Sequence, residues 1–464
     1  DAYGTIAAAA TGRGDAETAY LAGVGQARAY RAAGDLAQGH QALEAVIAAV
    51  EATRGRLLAE EHRAGFLDDK LIAYRELAGI CLAQGDVAGT LRAIERAKAR
   101  TLAEILDAGP QQAAAAEISA EAQALATEER TLRDRLQALP ETDADARRSL
   151  ERELAAIRRR LVQATARYSR RGQDAIPAIA EVCAILPADT LLLVYGALPE
   201  QAVLFALDRD GLRGPPCPVG PLPSQDELRL GLARVAAVGR LPRETAQRWA
   251  AQQIRSAQIP LGAWFDRFLA PMRVELEHYA RLLIVPDGLL NSLPFGALYD
   301  GQSGRYLAQS HELLIAPSLT TWALLAGRKA PIAGSPLAVG CSAGGRLRQA
   351  VDEAQAVAVH FPGTKLLLED AATRANFARA VRDASLVHIA THGLYRADAP
   401  AFSYLELADG RLEAFDIARL ELDAAAVVLS ACETGAGRLT GNELLGLARA
   451  FLHAGARSVL VTHW

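Results

Sequence analysis

This 464-residue sequence is poor in aromatic residues and lacks a large excess of either charge. Aromatics make up 5% of the residues although 51% are hydrophobic. Much of the non-aromatic hydrophobic fraction is alanine, which favours helices that pack closely through small side chains. Lys and Arg number 50 against 54 Asp and Glu, so the formal net charge is −4. This balance argues against a strongly basic nucleic-acid-binding protein, and the hydrophobic fraction excludes a disordered chain.

Clustered cysteines and long apolar runs are also missing. The five cysteines are scattered and none forms a C-x-x-C pair, which argues against a disulfide framework and a structural zinc site. No apolar run reaches the ~18 residues that span a bilayer, and residues 1–12 lack the pattern of a signal peptide. We expect a cytoplasmic chain without cofactor, metal, membrane or nucleic-acid contacts. We also expect Asp1 and Trp464 to be cut points within a longer protein.

The first 110 residues predict helical hairpins that contain an internal repeat. Equivalent residues recur at the same offsets in two stretches, namely Ala27, Tyr30, Gly34, Gly39, Leu43 and Val46, and then Ala78, Cys81, Gly85, Thr90, Ile94 and Ala97. Each stretch resembles the tetratricopeptide (TPR) pattern, whose period is about 34 residues. The Gly34 and Gly85 turns lie 51 residues apart, so the repeats are irregular or the helix between them is extended. An ordinary helical bundle is the alternative.

Residues 111–172 predict two antiparallel helices that form a coiled-coil-like hairpin. Leucines at helical spacing occur on both sides of a turn-forming segment, residues 140–145. The charge run from Arg158 to Arg160 is interpreted as a solvated helix face and not as a ligand site. Residues 173–185 are interpreted as a linker.

The hydrophobic period changes near Leu186, where an α/β region begins. Apolar runs predict strands at 191–195, 202–207, 281–285, 336–340, 365–368, 386–390, 426–430 and 457–462. Helical patterns cover 225–239, 244–278, 349–360, 371–382 and 441–454. Because strands and helices alternate through most of this region, it predicts a parallel sheet wrapped by helices.

Two of the predicted strands run directly into a polar residue and a glycine. One motif is H-I-A-T-H-G, ending in His392 and Gly393, and the other is S-A-C-E-T-G, which contains Cys432. Ligands of open parallel sheets bind at the carboxyl ends of the strands. An imidazole beside a thiol is the minimum apparatus of thiolate catalysis, because the imidazole can take the thiol proton and pass it to a leaving amine. Backbone N–H groups at Gly393 and Cys432 are candidate oxyanion donors.

The two motifs, about 40 residues apart, resemble the signatures of the CHAT family of caspase-like proteins. Further resemblance is found at 283–289, 293–295, 316–318, 402–410 and 441–456. The resemblance covers 186–464. It implies an α/β caspase-like parallel-sheet domain preceded by an all-α TPR-like helical region, which is the usual companion in that family.

The resemblance also implies an activity, and the paired strands after Leu186 indicate an internal division of the domain. His392 and Cys432 match the family's catalytic pair, and Gly393 matches the glycine after its histidine. Residues 186–330 are interpreted as the N-terminal part of the domain, a degenerate caspase-like half, and 331–464 as the catalytic half. In the family, an acidic loop that helps to shape the primary specificity pocket follows the position of Trp464, where this sequence ends.

Other chemistry-bearing residues are interpreted as structural. His388 and His392 would lie ~13 Å apart on a strand at ~3.3 Å per residue, too far for one zinc ion, so His388 is read as a packed residue or one that supports the site. Cys341 is a rival nucleophile but is read as the end of the first strand of the caspase-like sheet. Residues 435–441 lack the Gly-Lys-Ser/Thr of a phosphate loop. Glu433 has two alternative interpretations, as part of a pocket wall or as a solvated residue, and the sequence favours neither.

The leading hypothesis is a caspase-like cysteine endopeptidase that acts on a protein or peptide substrate through a His392–Cys432 dyad. A regulatory protein partner that docks on residues 1–170 would gate it, with 394–415 or 433–441 acting as a lid. The resemblance implies a role in bacterial defence or cell-death signalling. A catalytically inactive scaffold and a small-molecule cysteine hydrolase are the alternatives.

Overall fold

A computed structural model describes most of the chain. The described residues are 2–56, 70–98, 102–103, 106, 120–139, 144–165, 176–239, 243–328, 334–394, 402–430 and 446–461. Among the described helices, none is both long and apolar enough to cross a lipid bilayer.

The N-terminal region consists of paired helices. They are α1 (Ala2–Gly12), α2 (Ala16–Ala32), α3 (Leu36–Arg56), α4 (Leu71–Ala83) and α5 (Val87–Arg96). Both predicted turns are confirmed, because Gly34 and Gly85 adopt positive φ angles of 82° and 76°. The aspartate after each glycine caps the next helix: Asp35 accepts from the Gln38 N–H at 3.1 Å and Asp86 from the Gly89 N–H at 2.8 Å.

Small side chains bring these helices together, as the repeat pattern predicts. A Cβ atom added at Gly39 would lie 2.9 Å from Cδ1 of Ile80, and one added at Gly23 would lie 2.3 Å from Cγ2 of Val46. The unusual spacing of the two turns accompanies a long α3, which continues to Arg56, and a stretch at 57–69 that lies outside the described residues.

The predicted helical hairpin is confirmed as α6 (Ala120–Ala138) and α7 (Ala144–Thr165). Its leucines pack as predicted, and Leu154 on α7 is fully buried. The interpretation of the Arg158–Arg160 run as a solvated face is wrong for Arg158, of which only 4% is exposed. Arg160 is exposed. Residues two apart on a helix point to different faces, so one end of the run is buried against another part of the fold while the other meets solvent.

The α/β region follows with alternating strands and helices. Its helices are α8 (Ile179–Ala184), α9 (Gln225–Gly239), α10 (Arg243–Phe268), α11 (Arg273–Leu276), α12 (Leu319–Ala326), α13 (Gln349–His360), α14 (Arg374–Ala380), α15 (Ala414–Ile417) and α16 (Leu447–Ala454). The predicted helix 244–278 is shorter than expected. It ends at Phe268 because Pro271, in a 3₁₀ turn, has no backbone N–H to continue the ladder.

The first sheet is mixed. Its strands are β1 (Thr190–Ala197), β2 (Ala202–Asp208), β3 (Gly211–Leu212), β4 (Cys217–Gly220), β5 (Arg281–Val285) and β8 (Glu312–Ile315), and a separate pair is formed by β6 (Tyr299–Asp300) and β7 (Arg305–Tyr306). The order is β3-β2-β1-β5-β8, with β4 beside β2. β1, β5 and β8 are parallel and β2 is antiparallel to β1, so the predicted strand pair 191–195 and 202–207 is confirmed.

The second sheet is parallel throughout, as the alternation of strands and helices predicts. Its strands are β9 (Ser335–Gly340), β10 (Lys365–Leu368), β11 (Ala384–Ala390), β15 (Ala426–Ser430) and β16 (Val459–Val461), and a small antiparallel sheet beside it contains β12 (Gly393–Leu394), β13 (Tyr404–Leu407) and β14 (Gly410–Glu413). The order is β10-β9-β11-β15-β16, with every neighbouring pair parallel.

Both faces of the central strands are covered by helices. Val387 and Ile389 of β11 pack in one core cluster with Phe377 of α14 and Phe451 of α16. The opposite face meets α13, where a Cβ atom added at Gly340 would lie 2.9 Å from Cβ of Ala354. Because both faces of these strands are buried, their sequences are continuous apolar runs and do not alternate between apolar and polar residues.

The packing of α16 predicts a loss of stability in acid. Burial, together with the Arg449 and Arg328 guanidinium groups, lowers the pKa of His453 to about 4. Between that value and the ordinary pKa near ~6.5, the unfolded chain binds a proton that the folded chain does not, so stability falls as pH falls. From pH 7 to pH 5 we expect His453 to contribute a loss of up to about 2 kcal/mol, at about 1.4 kcal/mol per pKa unit.

Urea unfolding at pH 7 and pH 5 measures this effect, with His453→Gln as the comparison. The glutamine variant should lose less stability than the wild type between the two pH values. An equal loss in both proteins would contradict the assignment to His453.

Candidate functional site

His392, the histidine of the predicted site, lies at the carboxyl edge of the second sheet. β11 is bordered on both sides by parallel strands, with Ala390 paired to Ser430 of β15 and to Gly340 of β9. The hydrogen bonds continue past the strand end, because the Thr391 N–H donates to the Ser430 carbonyl at 3.3 Å. The chain therefore leaves three neighbouring strands at one common edge, and His392 is the second residue beyond β11.

The backbone of His392 is held by the small sheet beside it. The Glu406 N–H donates to the His392 carbonyl at 2.8 Å, and Gly393 pairs with Leu405. The Thr391 hydroxyl donates to the Glu406 carbonyl at 2.5 Å. His392 is partly buried and Gly393 buried, so the histidine segment is fixed on one side by β15 and on the other by β13. Sequence reasoning did not anticipate Thr391 and Glu406 as supports.

The thiol of the predicted dyad lies outside the described residues. Cys432 belongs to 431–445, which also contains Glu433 and the glycine-rich loop 435–441. Of the predicted site residues, the structure describes His392 and Gly393. Part of the predicted lid, 395–401, is likewise outside the described residues.

The two rival residues take the structural positions that were predicted for them. Cys341 follows β9 directly, is 3% exposed, packs with Leu337 and Val339 in the core, and donates its N–H to the Ala390 carbonyl at 3.1 Å. His388 is 8% exposed, and its Nε2 lies 3.0 Å from a carboxylate oxygen of Glu353 on α13. Neither side chain is free at the strand-end edge.

The carboxyl edge of the first sheet is occupied by the N-terminal helical region. The fully buried Lys98 ammonium group donates to the Tyr195 carbonyl of β1 at 2.6 Å and to the Val285 carbonyl of β5 at 3.4 Å. Glu95, one helical turn earlier, accepts from the Leu319 and Thr320 N–H groups at the start of α12. Burial lowers the pKa of Lys98 and raises that of Glu95, while each charge opposes the shift of the other.

The N-terminal helical region therefore covers the carboxyl ends of β1 and β5 in the first sheet. The signal in the sequence was a pair of opposite charges three positions apart, Glu95 in the last turn of α5 and Lys98 just after its end. Neither residue was predicted from the sequence to make this contact.

A second contact joins the helical hairpin to the small sheet. The Arg158 guanidinium group binds Glu129 of α6 at 2.8 Å and Glu413 of β14 at 2.6 Å. It also lies over the Phe402 and Phe415 rings, at 4.5 and 4.4 Å from their centroids. We refer to these five residues as the Arg158 cluster. Burial raises the pKa of Glu413, and Arg158 opposes that shift.

Three of the other cysteines are poor nucleophiles for a physical reason. Burial raises the pKa of the Cys81 thiol to about 11, and it also raises the pKa of Cys183 and of Cys217. A raised pKa reduces the thiolate fraction at neutral pH and with it the reactivity. In the part of the chain that the structure describes, no group of three or more His, Cys, Asp or Glu side chains is placed to hold a metal ion.

Comparison with known proteins agrees with the architecture. The sequence model of the CHAT domain matches residues 258–464, from within α10 onward. Tetratricopeptide repeat protein 28 of Homo sapiens is 26% identical to this chain, and that of Mus musculus is 28% identical. The alignments cover 46% and 45% of this chain but 11% of each relative, so the chain spans about a tenth of their length. Residues 258–464 therefore form a domain of the CHAT family, which this chain carries behind an N-terminal region of TPR-like helical hairpins.

Proposed function

We propose that the chain is a caspase-like cysteine endopeptidase in which His392 and Cys432 form the catalytic dyad. One observation carries the proposal. Ala390 and Ser430 are directly paired on neighbouring parallel strands, and His392 and Cys432 each follow its paired residue by two positions. Two parallel strands that are paired at their last residues continue into loops at the same edge of the sheet. We therefore expect the second residue after each strand to lie at that edge.

The proposed reaction is acyl transfer. His392 takes the proton of the Cys432 thiol, and the sulfur attacks the carbonyl carbon of the scissile peptide bond. The N–H groups of Gly393 and Cys432 stabilise the oxyanion of the tetrahedral intermediate. His392 then gives the proton to the leaving amine, and water hydrolyses the thioester to release the acid and regenerate the thiol.

We propose that the helical region controls this activity by binding a partner protein. Paired helices of the TPR type present surfaces that bind peptides and proteins. In this chain the helical region contacts the first sheet through Lys98 at β1 and β5, and the small antiparallel sheet through Arg158 at β14. A partner bound to the helices can therefore act on the domain through contacts that already exist. A role in bacterial defence or cell-death signalling is the setting that the architecture suggests.

Labelling with a thiol-directed peptide probe tests the dyad. At neutral pH and a low dose, we expect the probe to modify Cys432 in preference to the other four cysteines, because His392 holds its thiolate while burial suppresses the reactivity of Cys81, Cys183 and Cys217. His392→Ala should slow labelling of Cys432 by about tenfold or more. Mass spectrometry of the digested protein locates the modified cysteine.

His388→Ala is the matched control, since this histidine is on the same strand and bonded to Glu353. Labelling of Cys432 should proceed at close to the wild-type rate in this variant. Equal labelling of all five cysteines, or a rate that does not depend on His392, would contradict the dyad and favour an inactive caspase-like scaffold.

A further inference from the structure

The Arg158 cluster joins two parts of the chain that are far apart in sequence. Arg158 is 4% exposed, and its two carboxylate partners, Glu129 and Glu413, are 2% and 5% exposed. The Glu129 contact uses two nitrogens of the guanidinium group, Nε at 3.0 Å and an Nη at 2.8 Å. A charge buried this deeply is retained only where its partners are well placed, so the geometry of the cluster is closely defined.

The cluster holds both strands of the β13–β14 hairpin. Glu413 is paired with Tyr404 across the two strands, and Phe402 lies two residues before Tyr404. The Ala414 N–H donates to the Ser403 carbonyl at 2.7 Å, which extends the ladder to the end at which Arg158 binds. One guanidinium group from the helical region therefore fixes the start of β13 and the end of β14 together.

The other side of the same hairpin holds the histidine segment. Leu405 pairs with Gly393, the Glu406 N–H donates to the His392 carbonyl, and the Glu406 carbonyl accepts from Thr391. Three residues separate Phe402 at the cluster from Glu406 at His392, and the last two of them belong to β13. The cluster and the His392 backbone therefore contact one hairpin at positions four residues apart.

A second ion pair strengthens the same junction. Arg133 of α6 binds Asp416 of α15 at 2.5 Å, and Asp416 follows Phe415 of the cluster. Arg133 of α6 and Arg158 of α7 thus both contact the segment at the end of β14. This segment is attached to α6 and α7 by charge as well as by apolar contact.

We propose that Arg158 is a positioning residue for His392, and that the α6–α7 hairpin controls the site through it. The proposal rests on the proposed function and names the route of its regulation. Arg158 fixes the β13–β14 hairpin, the hairpin fixes the His392–Gly393 backbone, and a partner that moves α7 changes the alignment of the imidazole with the reacting thiol. Alignment of a catalytic group is sensitive, because a displacement of about 1 Å can cost about 10²-fold in rate.

Arg158→Gln and Glu413→Gln test the proposal with two measurements on the full chain. The first is amide hydrogen exchange of Glu406 and Ala414, whose N–H groups bond to His392 and Ser403; we expect exchange to accelerate by about tenfold or more, because local opening becomes easier. The second is inactivation by the thiol-directed peptide probe. The maximal inactivation rate should fall by about tenfold, while the probe concentration for half-maximal rate changes little, because alignment and not binding is lost.

Arg160→Gln is the matched control, since Arg160 is on the same helix and exposed, and both measurements should remain at wild-type values. Amides of β1 report on the rest of the fold. If exchange accelerates as much in β1 as at Glu406, or if Arg158→Gln behaves like Arg160→Gln, Arg158 has no positioning role. If the wild type is not labelled at Cys432, the dyad fails, and the exchange measurement still decides whether Arg158 fixes the His392 segment.

Discussion

The Cys432→Ala variant is expected to cleave protein substrates at least about 10³-fold more slowly than the wild-type chain. The sulfur is the atom that becomes bonded to the substrate carbonyl, and the methyl group of alanine provides no nucleophile. Loss of the attacking atom from a catalytic pair removes nearly the whole contribution of the pair. Cleavage is measured by mass spectrometry of new amino termini in a mixture of unstructured proteins, with the activating partner present once it is known.

His392→Ala should cause a loss of similar order, because members of a catalytic unit are strongly non-additive. The double variant should therefore be little slower than either single variant. Cys341→Ala is the control, because this cysteine is buried in the core beside the same sheet edge, and the variant should retain activity if it folds. Cleavage by Cys432→Ala at the wild-type rate would overturn the proposed mechanism.

Lys98→Met is expected to destabilise the fold by about 3 kcal/mol or more. The ammonium group is 2% exposed and bonds to the carbonyl groups of Tyr195 and Val285. Methionine fills a similar volume, but it removes the Lys98 donor from these carbonyl groups and the cation from beside the Glu95 and Asp287 carboxylates. Removing one member of a buried charged group costs about 3–5 kcal/mol, because the remaining charge is uncompensated.

Urea unfolding followed by tryptophan fluorescence measures this loss, since Trp322 lies on α12, whose first turn is bound by Glu95. Lys365→Met is the control, because Lys365 is exposed on β10, and its effect should stay within about 0.5 kcal/mol. Combining Lys98→Met with Glu95→Gln should cost less than the sum of the two single variants. Additive losses would mean that the two charges act independently.

Structural elements were predicted best where they depend on residues that are close together in the sequence. The Gly34 and Gly85 turns followed from glycine at positive φ and from aspartate at the next helix start. The parallel strands of the second sheet followed from apolar runs separated by helical periods. The helix 244–278 was predicted too long. One proline, Pro260, is tolerated within α10, whereas the next, Pro271, ends the helix, and the sequence pattern does not distinguish the two.

Charged residues on helices were the hardest to interpret, and Arg158 shows why. A run of three arginines has the composition of a solvated face, and nothing within α7 indicates that Glu413 and the Phe402 and Phe415 rings lie more than 240 residues further along the chain. Lys98 is similar, since its partners are carbonyl groups of strands almost 100 and 190 residues away. Burial of such a charge depends on partners that only the folded chain brings near.

The sequence by itself determined the order of helices and strands, the glycine and aspartate turns, and the two strand-end motifs that contain His392 and Cys432, because each depends on residues close together in the chain. Only the tertiary structure decided that Ala390 and Ser430 are paired, that Lys98 fills the edge of the first sheet, and that Arg158 binds Glu413 at the end of β14. These are contacts between distant segments, and their stability comes from burying charge and apolar surface together, which no local pattern encodes.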